Sequence, residues 1–383
     1  MATTVAATRF EARVDRLCRS QLNGQDLLRG LAGRLRDVVP HHGILLLRTD
    51  PTTVLPTGGV VRELPPALCK PFWDNELLDD DYNKFVDLAR AESPAATLHE
   101  ATGGDPARSR RYRTLYQPLD VTDELRAALC TSDGYCWGIA QLTRAGGDVF
   151  EARDRDLLAA ASRPIATALR SRFAVAEPIG SPARGLAIIV LNKAGEIESI
   201  TAEAREWLAE LADGSATGMT PVPEPVYVVA GRARAARRGR AGAPACAQVR
   251  TARRGWLHLH ASCLDDPAVP DGGAGTDGAG DAVAVVMTPA EAAELMPVLS
   301  LAYRLTGREQ EVLRLLACGL STAELAQRLG ITAHTVRDHI KALFGKVGVH
   351  TRAELLARIF AEHYFDRLEA DVDRLDDSPG PGK

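Results

Sequence analysis

The apolar residues of the chain recur at helical spacing in some segments and in strand-like runs in others. Apolar side chains follow a helical period from Ala12 to Val39, and Pro40 ends this predicted helix. The apolar run GILLLRTD, beginning at Gly43, and the alternating stretch GYCWGIAQLTR, residues 134–144, predict two strands. Residues 150–174 return to the helical period. The first part of the chain therefore has an α+β pattern.

A second α+β pattern follows the proline-rich stretch AEPIGSPARG, residues 176–185. Residues 186–211 are typical of a strand, a turn, a second strand and a helix. Two further apolar or alternating runs, residues 247–264 and 281–289, predict more strands. The glycine-rich loop before the last run, residues 270–281, contains no phosphate-binding motif, so we interpret it as a hairpin tip.

Helix-capping signals divide the last part of the chain into four short predicted helices. Hydroxyl residues stand where N-caps are expected, three of them with a glutamate three positions later, and glycines stand where C-terminal caps are expected. These residues are Thr306 with Glu309, Ser321 with Glu324, Thr351 with Glu354, Thr332 alone, and Gly319, Gly330 and Gly348. The predicted helices are 307–318, 322–329, 333–347 and 352–363. The short turn between the second and third predicts a helix-turn-helix.

The third of these helices has an apolar stripe and a polar outer face. The stripe consists of Val336, Ile340, Leu343, Phe344 and Val347. At about 100° per residue, the opposite face carries His334, Asp338, Lys341 and Gly345, with Arg337 on its flank. Such a face either meets only water or contacts a partner.

Composition and charge favour a multidomain globular protein with a local basic region. The chain has 383 residues, of which 45% are hydrophobic and 25% charged, and two or three domains are expected at this length. Its net charge of −4 indicates no global affinity for polyanions. Residues 305–358, however, contain eight basic and five acidic residues, a local net charge of +3. A nucleic-acid surface would have to lie there.

Cysteine usage and hydropathy indicate a cytoplasmic protein. The seven cysteines are scattered, without a CxxC pair, which predicts reduced and mostly buried thiols. The N-terminus has no apolar stretch typical of a signal peptide, and no segment approaches the length of a membrane span. We therefore expect no membrane partner.

The segment LTGREQEVLRLLACGLSTAELAQRLGITAHTVRDHIKALFGKVGVHTRAELLA resembles the LuxR-type, or NarL/FixJ-type, DNA-binding domain. The resemblance rests on LTxRExEVL at 305–313, GLS followed by EhA within 319–326, TVRxH at 335–339 and KhGVxxRAEL at 346–355, where h is apolar. It implies that the partner is double-stranded DNA and that a homodimer binds two half-sites. For the dimer surface, the final helix with Leu355, Leu356, Ile359, Phe360 and Tyr364 is a candidate.

The same resemblance implies roles for individual residues of the helix-turn-helix. Arg337 and Lys341, one turn apart, are expected to read base edges, while hydroxyl residues and Lys346 are expected to contact phosphates. His339 turns toward the core stripe and is expected to pack there. The expected DNA-binding set is Ser321, Thr322, Thr332, His334, Thr335, Arg337, Asp338, Lys341 and Lys346.

Asp338 leaves two interpretations open. Its carboxylate is repelled by phosphate but could accept a hydrogen bond from cytosine N4 in the major groove. Alternatively it forms a local ion pair with Arg337 or with Lys341, which lies three positions later on the same face.

The first two patterns resemble sensory domains. Residues 12–172 resemble a GAF domain and residues 184–288 a PAS domain, with Asn192 and Thr201 where that family often has Asp and Asn. The expected fold class is multidomain, with α+β sensory domains followed by an all-α four-helix helix-turn-helix domain. The expected units are a GAF-like domain 1–175, a PAS-like domain 184–289, a connector 290–304 interrupted at Pro297, the LuxR-type domain 305–365, and an acidic, partly disordered tail 366–383.

The expected function is sequence-specific transcriptional regulation, modulated by a small-molecule or protein signal at the GAF-like and PAS-like domains. The sequence contains no GxSxG, HExxH, kinase or P-loop motif, so we expect no enzyme, and it has no signature of a cofactor. The alternative is a signalling scaffold that binds partner proteins and DNA only weakly.

Two further features of the sequence are candidate sites. His258 and His260 share one face of a strand but have no carboxylate or cysteine at short ligand spacing, which disfavours a metal site. The arginine-rich stretch 231–240 is either a second nucleic-acid patch or a short surface helix.

Overall fold

The protein consists of two antiparallel five-stranded sheets, each with its own helices, and a helical C-terminal unit. The structure is a computed structural model and describes residue 10 and residues 12–173, 186–214, 222–240, 242–251, 255–265 and 282–361. The proline-rich stretch, the glycine-rich loop and the acidic tail named above lie outside the described residues. The multidomain α+β expectation fits this architecture.

The first unit, residues 12–173, contains a sheet with strand order β2-β1-β5-β4-β3. Its strands are β1 Gly43–Thr49, β2 Pro56–Arg62, β3 Ala95–Thr97, β4 Val121–Cys130 and β5 Cys136–Ala145. Its helices are α1 (12–18), α2 Gly24–Arg36, α3 Cys69–Leu78, α4 Phe85–Leu88, α5 Leu98–Ala101 and α6 Ala152–Phe173, with short 3-10 turns and one π-helical turn, Tyr112–Tyr116. The predicted strands at 43 and 134 and the predicted helix 150–174 are confirmed.

Strand β1 is buried on both faces, which explains its unbroken apolar run. Ile44 and Leu46 join a core that α2 and α6 cover, whereas Leu45 and Leu47 join a core on the opposite face. The sheet is therefore a middle layer.

The single helix predicted for residues 12–39 is wrong, because the chain breaks between α1 and α2. The side chain of Asn23 accepts a hydrogen bond from the backbone N–H of Asp26, at 2.8 Å. This cap starts a new helix. The apolar period continues across the break, so periodicity did not reveal it.

Strand β4 was not predicted, because its charged residues resemble an exposed segment. Glu124 is fully buried and accepts hydrogen bonds from Arg111, Arg126 and the hydroxyl of Tyr116, at 2.7, 2.9 and 2.5 Å. Burial raises the pKa of Glu124, but the two guanidinium groups outweigh burial and hold it below its usual value. The charges thus compensate one another inside the fold.

The second unit, residues 186–289, has a sheet with order β7-β6-β10-β9-β8. Its strands are β6 Ala187–Leu191, β7 Ile197–Ile200, β8 Cys246–Arg250, β9 Trp256–Cys263 and β10 Val283–Pro289, and its helices are α7 Ala202–Gly214 and α8 Glu224–Arg237. When the strands of each unit are numbered separately, the two sheets have the same strand order: second, first, fifth, fourth, third. The run 247–264, predicted as strand, contains two paired strands, β8 and β9.

Helix α8 joins the two units, and residues 231–240, interpreted above as either a nucleic-acid patch or a surface helix, are buried at 231 and 233–235 and exposed at 236–239. It is buried over most of its length, packs on β9 and β10, and contacts α3 of the first unit. The hydroxyl of Tyr227 donates to Asp74 at 2.6 Å, and the backbone N–H of Gln248 donates to Asp50 at 2.9 Å. Arg234 is only 4% exposed, so it is not part of an open basic patch.

Helix α9, Ala292–Ala302, leads from the second unit to the C-terminal unit, residues 307–361. It is continuous through Pro297, so the predicted interruption is wrong. Val298 is buried in the core beside α2 and α6, whereas Leu295 and Leu299 are buried in the core of the C-terminal unit. Burial on two sides outweighs the loss of one backbone hydrogen bond at the proline.

None of the helices in the described ranges combines the length and apolarity needed to cross a membrane.

The seven cysteines are free thiols, but only Cys69 and Cys136 are buried and Cys318 is exposed. The expectation of mostly buried thiols is therefore wrong.

The buried Glu224 at the start of α8 generates a pH prediction. Burial raises the pKa of this carboxyl to about 8, although the Trp73 side chain of α3 offsets part of the effect. In the unfolded chain the carboxyl ionises near pH 4.3. Below that pH the carboxyl is neutral in both states, so burying it costs the folded protein no charge desolvation. As the pH rises toward the folded pKa, ionisation favours the unfolded chain, and the stability of the fold declines. Glu224→Gln should therefore be stabilising by an amount that grows through this window, on the order of 1–3 kcal/mol at its alkaline end.

Urea unfolding at several pH values measures this difference. The matched control is Glu198→Gln, at an exposed position on β7. A stability difference for Glu224→Gln that does not change with pH would contradict the assignment.

Candidate DNA-binding site

The C-terminal unit contains the helices α10 Gly307–Ala317, α11 Thr322–Leu329, α12 Ala333–Val347 and α13 Arg352–Leu356, the last followed by a π-helical turn, Ala357–Ala361. The predicted starts are confirmed at all of them, and the first three ends agree to within one residue. Helix α12 packs against α10, α11 and α13.

Side-chain caps set these helix boundaries. Thr306 with Glu309, and Ser321 with Glu324, form reciprocal capping boxes. Thr351 accepts from the backbone N–H of Glu354 at 3.1 Å, but the carboxylate of Glu354 binds the backbone N–H of His350.

Glycines in the left-handed conformation follow three of the helices, and the first, Gly319, lies two residues after α10 with φ of 84°. Gly330, after α11, has φ of 64°, and Gly348, after α12, has φ of 75°. This conformation favours glycine because it lacks a Cβ. The caps fix the length of α12 and the tight turn before it.

The apolar stripe of α12 faces the core as predicted. Val336, Leu343 and Val347 are buried, and Ile340 and Phe344 are half-buried against the same cluster. His339 is half-buried on the flank of this stripe. The opposite face of α12 is consequently turned to solvent.

The outer face of α12 presents two unpaired cations. Arg337 and Lys341 are exposed, and no described residue forms an ion pair or a side-chain hydrogen bond with either. Two other exposed cations of this unit, Arg314 on α10 and Arg328 on α11, are likewise unpaired within the described ranges. One turn of helix separates Arg337 from Lys341, so both project from the same side of α12.

Asp338 forms a local pair, but with a different partner from those considered. Its carboxylate lies 2.9 Å from Nδ1 of His334, four positions earlier. Their side chains are 64% and 80% exposed, so the pair lies at the surface of α12. Arg337 and Lys341 are not its partners, and sequence spacing alone did not distinguish these neighbours.

Lys346 is engaged within the unit, in contacts that its position in the sequence did not predict. Its ammonium donates to Glu309 at 2.6 Å and to the backbone carbonyl of Arg304 at 2.9 Å. The side chain of Glu309 is only 6% exposed. Burial raises the pKa of Glu309, but Lys346 and the Thr306 cap outweigh it and lower the pKa. Lys346 therefore stabilises the junction of α9, α10 and α12.

The hydroxyl residues of the expected DNA-binding set lie at the first turns of α11 and α12. Ser321 and Thr332 accept hydrogen bonds from backbone N–H groups of Glu324 and Thr335, at 3.4 and 3.1 Å. The hydroxyls of Thr332 and Thr335 are 2.9 Å apart. Thr322 is half-buried. All of them are thus near helix N-termini, whose partial positive charge favours anions.

Some of the candidate dimer residues of the final helix are buried within the C-terminal unit itself. Leu355 and Ile359 are 0% and 1% exposed and belong to its own core, while Leu356 packs against that core. The side chains of Phe360 and Tyr364 lie outside what the structure describes.

The histidines of β9 contact protein groups. His258 lies 2.6 Å from the amide nitrogen of Gln248 and 3.6 Å from the carboxylate of Glu294 on α9. Sequence spacing missed Glu294 because it comes from a distant helix. Within the described ranges, no group of three His, Cys, Asp or Glu side chains is arranged to hold a metal ion.

Comparison with known proteins identifies the C-terminal unit. Residues 303–359 match the model of the family described as bacterial regulatory proteins, luxR family. These residues form a LuxR-family helix-turn-helix domain. Such a domain binds double-stranded DNA and acts in transcription regulation.

Curated relatives share this domain with the chain. The transcriptional regulatory protein DesR of Bacillus subtilis is 44% identical over 75 residues, which cover 19% of this chain and 38% of DesR. The probable transcriptional regulatory protein NarL of Mycobacterium tuberculosis is 37% identical over 75 residues, 20% of this chain and 32% of that protein. The chain thus spans about a third of the length of these relatives.

Among solved structures, the crystal structure of the phage VqmA-DPO complex aligns with 47% of this chain and 83% of its own chain, at 16% identity. Its TM-score is 0.20, which is too low to establish a shared fold.

The contacts of Lys346 and Lys341 predict opposite phenotypes for two similar substitutions. Lys346→Ala leaves the buried Glu309 without its ammonium partner and should reduce the unfolding free energy of the domain by about 1–3 kcal/mol. Lys341→Ala removes an exposed, unpaired charge and should change it by less than about 0.5 kcal/mol. Native-state hydrogen exchange of the α10 and α12 amides measures both values. Equal stability of the two variants would contradict this division of roles.

Proposed function

We propose that the protein is a sequence-specific transcriptional regulator whose helix α12 reads the major groove. The observation that carries the proposal is the exposed Arg337–Lys341 face, unpaired within the described part of the chain, on the third helix of a LuxR-family domain. Arginine and lysine recognise guanine O6 and N7 in the major groove and also bind phosphates. The hydroxyl residues at the starts of α11 and α12 suit backbone phosphate contacts that fix the register.

The His334–Asp338 pair adds a polar feature to the reading face. While the two side chains remain paired, the carboxylate is screened by an imidazole N–H and can accept a second hydrogen bond. Asp338 then contributes to sequence preference through cytosine N4, and His334 positions it.

We infer that the regulator acts as a homodimer on a two-fold symmetric operator. The support is the helix-turn-helix itself, because a single reading helix covers only one half-site. Since Leu355 and Ile359 are used in the domain's own core, the dimer surface would include other residues of the chain.

We propose that the first and second units are the sensory part, GAF-like over 1–175 and PAS-like over 184–289. The matching strand order of the two sheets and their helices supports related α+β modules rather than one enlarged domain. A small-molecule or protein signal at these units then modulates DNA binding. Residues 290–304 connect them to the DNA-binding domain, 305–365, and 366–383 forms a tail.

The proposed route of the signal is α9. This helix is packed into the first unit through Val298 and into the DNA-binding domain through Leu299. A change in the sensory units that displaces α9 alters how the domain is held, which is the differential contact that a coupled equilibrium requires.

A scaffold with only weak DNA binding is the less favoured function, because the unpaired cations of α12 have no role in it. The relatives are transcriptional regulators, and we propose no enzymatic activity for the whole chain.

Selection of binding sites from random duplex DNA tests the reading face. The full-length protein should enrich a two-fold symmetric consensus. Arg337→Ala and Lys341→Ala should each weaken binding by about 1–3 kcal/mol and relax the preference at particular positions of the half-site. The matched control is Arg163→Ala, which removes an exposed arginine on α6 of the first unit. Variants that select the parental consensus with parental affinity would refute α12 as the reading helix.

A substitution in α9 tests the route between units. Val298→Ala removes buried methyl groups from the contact with the first unit and should lower the DNA affinity of the full-length protein about five-fold or more. The reason is that a loosely held domain loses more conformational freedom on binding. Fluorescence anisotropy with a labelled duplex measures the affinity, and Ala293→Ser, at an exposed position of α9, is the control. Parental affinity in Val298→Ala would argue against coupling through α9.

A further inference from the structure

A pair of cysteines lies at the end of the β4–β5 hairpin in the first unit. Cys130 and Cys136 are cross-strand partners that immediately flank the turn 131–135. Opposed residues of antiparallel strands have Cα atoms about 4.5–5.5 Å apart, which lies within the range of roughly 4.4–6.8 Å found in disulfides. Both side chains are free thiols. The pairing register shifts between Leu129 and Cys130 but still places the two cysteines opposite each other, and the spacing typical of such a pair is compatible with a disulfide.

The two thiols differ in environment. Cys130 is half-buried, and Cys136 is 2% exposed. Interaction with the Cys136 side chain lowers the pKa of Cys130, although burial opposes this. The same interaction, together with burial, raises the pKa of Cys136 well above its usual value. Cys130 is thus the thiol that ionises first, and Cys136 remains protonated beside it.

The turn beside this pair is open to solvent. The turn residues Ser132, Asp133, Gly134 and Tyr135 are exposed. The turn itself is well defined, because the backbone N–H of Thr131 donates to the carbonyl of Tyr135 at 3.0 Å. Five residues separate the two cysteines in the sequence and no CxxC motif marks them, so their spacing alone does not predict a role.

We propose that Cys130 and Cys136 form a redox-active dithiol that hydroperoxides oxidise to an intramolecular disulfide. The Cys130 thiolate attacks the terminal peroxide oxygen, and the O–O bond breaks to give a sulfenic acid and an alkoxide or hydroxide that takes up a proton. The sulfur of Cys136 then attacks the sulfur of Cys130. The S–S bond forms, and the displaced hydroxide leaves as water with the Cys136 proton. Two thiols lose two electrons, and the hydroperoxide is reduced to alcohol and water.

The disulfide forms beside an aromatic contact between units. Trp137 follows Cys136, and its ring centroid lies 5.5 Å from that of Phe173 at the end of α6. Phe173 in turn lies 4.3 Å from Trp256 at the start of β9. Oxidation of the pair is therefore expected to change tryptophan fluorescence, which gives a readout separate from DNA binding.

Peptide mass spectrometry of the full-length protein tests the proposal. Reduced protein is treated with stoichiometric hydrogen peroxide, its remaining thiols are alkylated, and it is digested with trypsin. Residues 127–144 form one tryptic peptide that contains both cysteines and no others. The expected result is loss of the doubly alkylated peptide. In its place appears an unalkylated peptide whose mass is two hydrogen atoms below that of the reduced, unalkylated peptide. A dithiol reductant should reverse this change fully.

Variants assign the order of events. Cys136→Ser should stop at a sulfenic acid on Cys130 that dimedone traps, whereas Cys130→Ser should leave Cys136 open to alkylation after denaturation. Cys318→Ser, which removes an exposed thiol of the DNA-binding domain, should leave disulfide formation unchanged. A parent peptide that stays doubly alkylated after peroxide, or Cys130 joined to a cysteine outside this peptide, would overturn the proposal without bearing on DNA recognition.

Discussion

Helix α9 shares its apolar side chains between two hydrophobic cores, and the arrangement of the molecule depends on this. Val298 completes the core between the first sheet and its helices, and Leu295 and Leu299 complete the core of the helix-turn-helix domain. Trp256 of the second unit reaches the latter core and contacts Phe173. Moving the domain relative to the sheets would expose this apolar surface to water, at a free-energy cost of about 25 cal/mol per Å². A displacement therefore needs a compensating interaction, such as a bound ligand.

Charge in the DNA-binding domain is divided between internal and external roles. Lys346 and Glu309 form a partly buried pair that fixes α12 against α10, and the glutamates of the capping boxes bind backbone amides. Arg337 and Lys341 are left facing solvent from a helix that the internal contacts hold rigidly. A modest local charge of +3 is thus enough to present a cationic face, because three of the five acidic residues, Glu309, Glu324 and Glu354, bind backbone amides of their own domain.

The sequence predicted local structure where caps and periodicity determine it and failed where distant contacts do. The bounds of α11 and α12 follow from Ser321, Thr332 and the terminal glycines. Strand β4 was missed because the partners of Glu124 come from other segments, and the burial of α8 was missed because its covering unit is remote in sequence. For the candidate site, the α12 face was predictable, whereas the pairing of Lys346 with Glu309 required the packed fold.

A structure of the full-length protein bound to its selected duplex would test the central claim most directly. The account predicts α12 in the major groove, with Arg337 and Lys341 contacting base edges or adjacent phosphates and Lys346 still paired with Glu309. DNA bound at another surface, with the outer face of α12 left in solvent, would contradict it.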